Sequence, residues 1–240
     1  MDIEKEVKKY VRPVMFHDDC GCHGSFAFIG GTCFFLKILE KKYVVTAKHV
    51  VKDHDISDIR IVLDPYSSDK DTFHRPLTLS NAMTLVDTSQ RQDQDFPTND
   101  FILFKVDDSE QDENLEPYFF NYVSPPQLNT NGRIFVAGYP NVDQAINEDD
   151  NEIQICPDII FCNNYIKRNI KDHIFNITAI QDELETFNGF SGSPLFYLTP
   201  EDRLYIIGVI QKERECTNLL YGEDIRVIEC FLSYIPQTHD

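Results

Sequence analysis

The chain has 240 residues, with 22 Lys and Arg against 40 Asp and Glu, for a net charge of −18. A balance that acidic, with no Lys/Arg-rich run, argues against a duplex nucleic acid partner, which needs a basic face to displace counterions. No apolar run reaches the roughly 18 residues of a membrane span, and an apolar content of 42% is that of a globular chain.

In chain order, residues 1–24 are charged and read as an irregular N-terminal extension. Its start, "MDIEKEVKKYVRPVMF", lacks the apolar core of a secretion signal. Seven cysteines, an odd number in a chain too long to need staples, are expected as reduced thiols. Both features point to the cytoplasm. Within the extension, "HDDCGCHG" carries His17, Asp18, Asp19, Cys20, Cys22 and His23. These are metal-ligand types, but Cys-x-Cys-His lacks the usual Cys-x-x-Cys spacing and no second knuckle follows, so a loop is the favoured reading. No metal or cofactor is assigned.

Strand patterns then follow closely: "SFAFIG", "TCFFLKIL", "KKYVVTA", "DIRIVL", "DFILFKV", "RIFVAGY", "EIQICPDIIFC", "HIFNITAI", "SPLFYL", "RLYIIGVI" and "IRVIECF". β-branched and aromatic residues dominate them. Short helical turns are expected after "TAKHVV" and at "CFLSYI". Many short strands with few helical stretches predict an all-β barrel or sandwich. The acidic, turn-rich "DDSEQDENLEP" divides the domain into halves at about 25–116 and 117–240, neither an independent domain by composition. It and the other acidic stretches read as solvated loops.

Three residues carry chemistry by their contexts. "YVVTAKHVV" sets His49 just after an apolar strand, and "TNDFILFKV" sets Asp100 at the head of another. "NGFSGSP" sets Ser191 on a glycine-flanked turn. A serine hydroxyl is a weak nucleophile until a base takes its proton and a third group orients that base. Each piece alone is weak, but the order His, Asp, Ser, each at a strand edge, is specific. It differs from the Ser, acid, His order of α/β-hydrolases.

With "GGTCFFL…YVVTAKHVV", "NDFILFKV", "FVAGYP" and "NGFSGSPLF" in this order, the sequence resembles the trypsin-like (chymotrypsin-fold) serine peptidases over residues 25–235. The resemblance implies two six-stranded antiparallel β-barrels with the active site in the cleft between them, and a short C-terminal helix. It implies peptide hydrolysis, with His49 as general base, Asp100 as its orienter and Ser191 as nucleophile. The N–H groups of Gly189 and Ser191 would form the oxyanion hole. Secreted members carry an Asp before the serine that pairs with an N-terminus freed by cleavage. Phe190 stands there instead, and Val50 stands where those enzymes have a disulfide cysteine. The chain is more similar to the bacterial intracellular branch. Stand-alone domains of that kind resemble protease modules of conflict and immune systems, typically silent until a partner orders them.

By the same resemblance, Glu185, six residues before the serine, falls at the base of the primary pocket. An acid there implies a preference for Lys or Arg, and a solvent-facing Glu185 is the other reading. "GVIQKE" (208–213) is expected to offer a strand edge to a substrate peptide. Asn188, Gln211, Lys212 and Glu213 are its substrate-binding candidates. Ser193 receives no catalytic role. The expected partners are a protein or peptide substrate and an activating protein. A silent peptide-binding module on the same fold is the alternative to an active endopeptidase, and chain order argues against an esterase.

Overall fold

Runs of Val, Ile, Phe and Tyr suit a pleated surface that is buried on at least one face. In this chain several runs have no polar alternation at all, and the architecture shows why. The structure, a computed structural model, describes residues 2–17, 26–61, 63, 77–84, 100–106, 115–140, 145–147, 152–154, 157–163, 167–169, 174–178, 187–213 and 219–234.

Two barrel-like sheets make up the molecule. The first contains β1 (Val11–His17), β2 (Phe26–Ile38), β3 (Lys41–Ala47), β4 (Ile59–Arg60), β5 (Leu79–Met83) and β6 (Phe101–Val106). These six run antiparallel in the order β4-β1-β2-β3-β6-β5, and the two-residue β7 (Phe120–Asn121) lies parallel to β2. The second sheet opens with β8 (Arg133–Gly138), after which a separate hairpin, β9 (Ala145–Asn147) and β10 (Glu152–Gln154), branches off. It continues with β11 (Asp158–Cys162), β12 (Lys167–Asn169), β13 (Ile174–Thr178), β14 (Pro194–Leu198), β15 (Leu204–Glu213) and β16 (Leu219–Asp224). The order is β11-β8-β14-β15-β16-β13-β12, six antiparallel strands extended at one edge by the three-residue β12. The expected pair of six-stranded antiparallel barrels is therefore present.

Consecutive residues of the apolar runs point to opposite faces, and both faces are dry. Cys33 and Phe35 fill the first barrel with Val14, Val44 and Phe104. Ile134, Val136, Leu195 and Tyr197 fill the second. The alternate residues, Phe34 and Leu36 on β2 and Phe135, Ala137 and Phe196 on β8 and β14, meet in a third cluster shared by both sheets. Helix α1 (Ile3–Val7) adds Val7 to that shared cluster, and the C-terminal α3 (Arg226–Tyr234) adds Ile228 and Leu232. Among the described residues no helix is long and apolar enough to cross a membrane.

Three sequence expectations are corrected. "IRVIECF", expected as a strand, lies almost entirely in helix α3, because Ile225, Ile228 and Leu232 recur at helical spacing and turn one face into the shared cluster. Residues 1–24 are not an irregular extension throughout, because they hold α1 and β1, which pairs with both β2 and β4. Arg12 and Pro13 hide the strand, yet Arg12 is only 2% exposed. Its guanidinium donates to the Leu63 and Lys8 carbonyls and lies over the Phe35 ring. The change of sheet also falls later than residue 117, since β7 still belongs to the first sheet and the second begins at Arg133.

Candidate active site

His49 is placed by the strand-to-helix step at the end of β3. Helix α2 (Lys48–Val51) starts directly after Ala47, and its Val50 and Val51 are buried in the first barrel. That leaves the His49 ring on the open side, with its side chain 40% exposed. Asp100 precedes β6, next to β3, and is 8% exposed. Its main-chain carbonyl accepts the Lys48 N–H (3.1 Å), and its Oδ1 accepts the His49 N–H (3.1 Å). Its Oδ2 lies 2.5 Å from His49 Nδ1. A carboxylate can only accept there, so the proton sits on Nδ1 and Nε2 carries the free lone pair. Asp100 thus fixes both the backbone and the tautomer of His49.

Ser191 lies on a tight turn of the second barrel. The turn needs two glycines in the left-handed region, Gly189 at φ 96° and Gly192 at φ 87°. Gly192 is also required by close approach, because a Cβ there would lie 2.1 Å from the Thr32 carbonyl oxygen. Phe190 is 1% exposed and packs in the second-barrel core, edge-on to Phe187 with ring centroids 6.1 Å apart. It occupies an apolar socket and carries no ion pair. Ser193 is fully buried, out of a substrate's reach. Its Oγ is a buried side-chain atom without a hydrogen-bond partner among the described residues.

The backbone bonds of the turn account for most of its polar groups. Phe190 N–H donates to the Phe187 carbonyl (3.0 Å), Gly192 N–H to Ile210 (2.7 Å) and Ser193 N–H to Phe190 (2.9 Å). From the first barrel, Thr32 N–H donates to the Ser191 carbonyl (2.9 Å) and Thr32 Oγ1 to that of Gly189 (2.7 Å). Among the described residues, the Gly189 and Ser191 N–H groups find no acceptor. Gly189 is buried and Ser191 half-buried, and a buried backbone donor is rarely left without a partner.

The Ser191 hydroxyl donates to the Gln211 carbonyl at 3.1 Å, and no hydrogen bond joins it to His49. Gln211, expected to bind substrate, is itself buried, its Nε2 donating to Glu223 Oε2 at 2.8 Å. Both side chains are only 2% exposed. Glu223 is not among the residues the sequence singles out, because nothing in its local context marks a buried carboxylate. Thr32 was equally hidden, since one hydroxyl in an apolar strand carries no pattern.

Asn188 is exposed on the turn. The backbones of Lys212 and Glu213 pair with Tyr221 and Leu220 on β16, and their side chains lie outside the described residues. Glu185 lies outside them too, as do Asp18, Asp19, Cys20, Cys22 and His23 of the Cys/His-rich stretch. Among the described residues, no cluster of three His, Cys, Asp or Glu side chains is placed to hold a metal ion.

The family model described as Trypsin matches residues 28–231. Among solved structures, the scabies mite inactivated protease paralogue S-I1 is similar with a TM-score of 0.57 at 15% identity, over 98% of this chain and 97% of that one. The Rv3671c protease of M. tuberculosis in its active form gives 0.54 at 15% identity, over 98% and 84%. Its inactive serine-to-alanine mutant gives 0.54 at 15%, over 100% and 92%. No curated protein matches the sequence. The structural neighbours share the fold, and they include both inactivated and active proteins.

Proposed function

The chain belongs to the trypsin family, and from that footing we propose that it is a serine endopeptidase working through an acyl-enzyme on Ser191. The observation that carries this reading is the double hold of Asp100 on His49, through the backbone N–H and Nδ1. It leaves Nε2 as the nitrogen free to act as a base. In the proposed reaction Ser191 Oγ attacks a peptide carbonyl while His49 Nε2 takes its proton. The carbonyl oxygen, now negative, accepts from the Gly189 and Ser191 N–H groups. Such donors are worth about 3–4 kcal/mol each in the transition state. His49 then protonates the leaving amine, and water, activated by the same nitrogen, releases the acyl group.

One observation favours a second reading. The Ser191 hydroxyl rests on the Gln211 carbonyl, not on His49. That hydrogen bond must be exchanged for one to His49 before attack. This supports a form that is silent at rest and switched on by a protein partner, as proposed for a cytoplasmic enzyme. A permanently silent peptide-binding module shares that resting geometry. Glu185, by its place six residues before the serine, is proposed to favour Lys or Arg at the cleaved bond.

A fluorophosphonate probe on wild type and Ser191→Ala tests the reading. Labelling of wild type alone supports it, and labelling of the variant at the wild-type level sinks it. If neither is labelled, Ser191-dependent labelling after addition of cell lysate marks the dormant form, and none marks the binding module. Peptides with Arg or Leu before the scissile bond test Glu185. Equal cleavage, or a preference that Glu185→Gln leaves untouched, removes it from the pocket.

A further inference from the structure

We propose that Thr32, on the first barrel, is a positioning residue that shapes the oxyanion turn of the second. The proposal rests on the reading of Ser191 as nucleophile with Gly189 and Ser191 as oxyanion donors.

Each peptide plane carries a C=O on one side and an N–H on the other, so fixing one aims the other. The plane joining Gly189 to Phe190 is held at both ends. Its carbonyl accepts from Thr32 Oγ1 (2.7 Å) and its N–H donates to the Phe187 carbonyl (3.0 Å). The plane joining Ser191 to Gly192 is also held at both ends, by Thr32 N–H (2.9 Å) and the Ile210 carbonyl (2.7 Å). Between them, the Phe190–Ser191 plane is held at its carbonyl by Ser193 N–H (2.9 Å), which leaves the Ser191 N–H aimed away and unspent. Thr32 therefore supplies one bond to each of the two doubly held planes.

Thr32 is itself over-determined. Its Oγ1 accepts the Tyr139 N–H (2.9 Å), which turns the hydroxyl proton toward Gly189. Its carbonyl accepts Thr46 Oγ1 (2.7 Å). It is fully buried, so water does not compete for these bonds. Phe190 pins the side chain of the turn in one barrel, and Thr32 sets its carbonyls from the other. Without an acid before the serine, this bridge does the orienting.

The test is time-resolved phosphonylation of the full chain by a fluorophosphonate, in which Ser191 Oγ displaces fluoride from phosphorus, over a range of probe concentrations, with active-site titration. Thr32→Val keeps the shape and the backbone N–H and deletes the hydroxyl. We expect an unchanged titratable fraction, an unchanged half-saturating concentration and a maximal phosphonylation rate lower by about 10- to 100-fold. Thr32→Ser should recover most of that rate. Phosphonylation of Thr32→Val at the wild-type rate overturns the proposal. A loss confined to the titratable fraction, the mark of a merely structural role, does so too. Should Thr32→Val not fold, Thr46→Val, which frees the Thr32 carbonyl, must slow phosphonylation at constant titratable fraction, and a wild-type rate overturns the idea. Ser191→Ala separates the two layers. Equal labelling of wild type and Ser191→Ala, or none of either even after addition of cell lysate, refutes the nucleophile, and the proposal with it. Wild-type-only labelling with an unaffected Thr32→Val refutes the bridge alone.

Discussion

Replacing Phe190 with alanine removes the side chain that anchors the nucleophile turn. Phe190 is 1% exposed among Val136, Leu195, Ile207 and Leu220. A buried aromatic ring takes about 150–250 Å² out of water, which at about 25 cal/mol per Å² is about 4–6 kcal/mol. Alanine keeps the Cβ, and Phe→Ala truncations in well-packed cores cost about 3–5 kcal/mol. The expected loss is therefore about 4 kcal/mol. The turn should also loosen, and a displacement of about 1 Å in a reacting group can lower a rate about 100-fold. Urea unfolding gives the first quantity, and fluorophosphonate labelling of the folded fraction gives the second. Phe190→Leu should cost about 1–2 kcal/mol and keep most of the rate. Phe190→Asp should be worse than alanine, because it sets an unpaired carboxylate in an apolar socket. A Phe190→Ala loss below about 1.5 kcal/mol would refute the burial argument. The full loss with a wild-type labelling rate would refute the link between core packing and the turn.

Other expectations follow from the same structure. Asp100→Asn should fold but lower kcat by about 10⁴-fold, because the amide no longer enforces the Nδ1–H tautomer of His49; peptide hydrolysis within about tenfold of wild type would remove Asp100 from its role. Leu39 and Glu40 join β2 to β3 with φ of 50° and 61°, as a type I′ hairpin requires. The double change Leu39→Asn, Glu40→Gly should raise stability by about 1–2 kcal/mol, with the solvent-screened pair of Glu40 and Lys37 that it removes contributing little; a lower urea midpoint would contradict it. Burial pushes the Cys162 thiol from an ordinary 9.0 up to about 12. The unfolded chain sheds that proton first, so the contribution is whole below about pH 9 and is lost between there and about pH 12, at up to about 1.4 kcal/mol per pH unit. Urea midpoints across that range should fall less steeply in Cys162→Ala, and an equal slope would refute the assignment. In native protein iodoacetamide should modify the exposed Cys230 and spare Cys33 and Cys162.

The legible part of the fold lies in runs such as Lys41–Ala47, where the apolar residues are buried on both faces. The turn into α2 was readable at "TAKHVV"; "CFLSYI" marked only the end of the C-terminal helix, whose start was read as the strand "IRVIECF". His49 and Asp100 were found from local context, and they meet in space as that context suggests. What escaped was polar and buried. β1 hid behind Arg12, whose charge is satisfied by carbonyls 51 and 4 residues away along the chain. Thr32 and Glu223 act through partners far off in sequence, Gly189 and Gln211. A one-dimensional pattern reports periodicity and local turn chemistry. It does not report which hydroxyl or carboxylate a second sheet will cover.

The cluster shared by the two sheets bears on how the molecule can be cut. Phe34, Leu36 and Phe101 from one half share one buried cluster with Phe135, Phe196 and Val209 from the other. Severing the chain between β7 and β8 would expose that surface on both fragments. Each half would then lack the interior that makes it a domain. Denaturation should proceed as a single cooperative step, with spectroscopic and activity probes changing together. The cleft exists only in the assembled molecule, so fragment complementation, not either fragment alone, is the route by which a split form of this protein could regain a site.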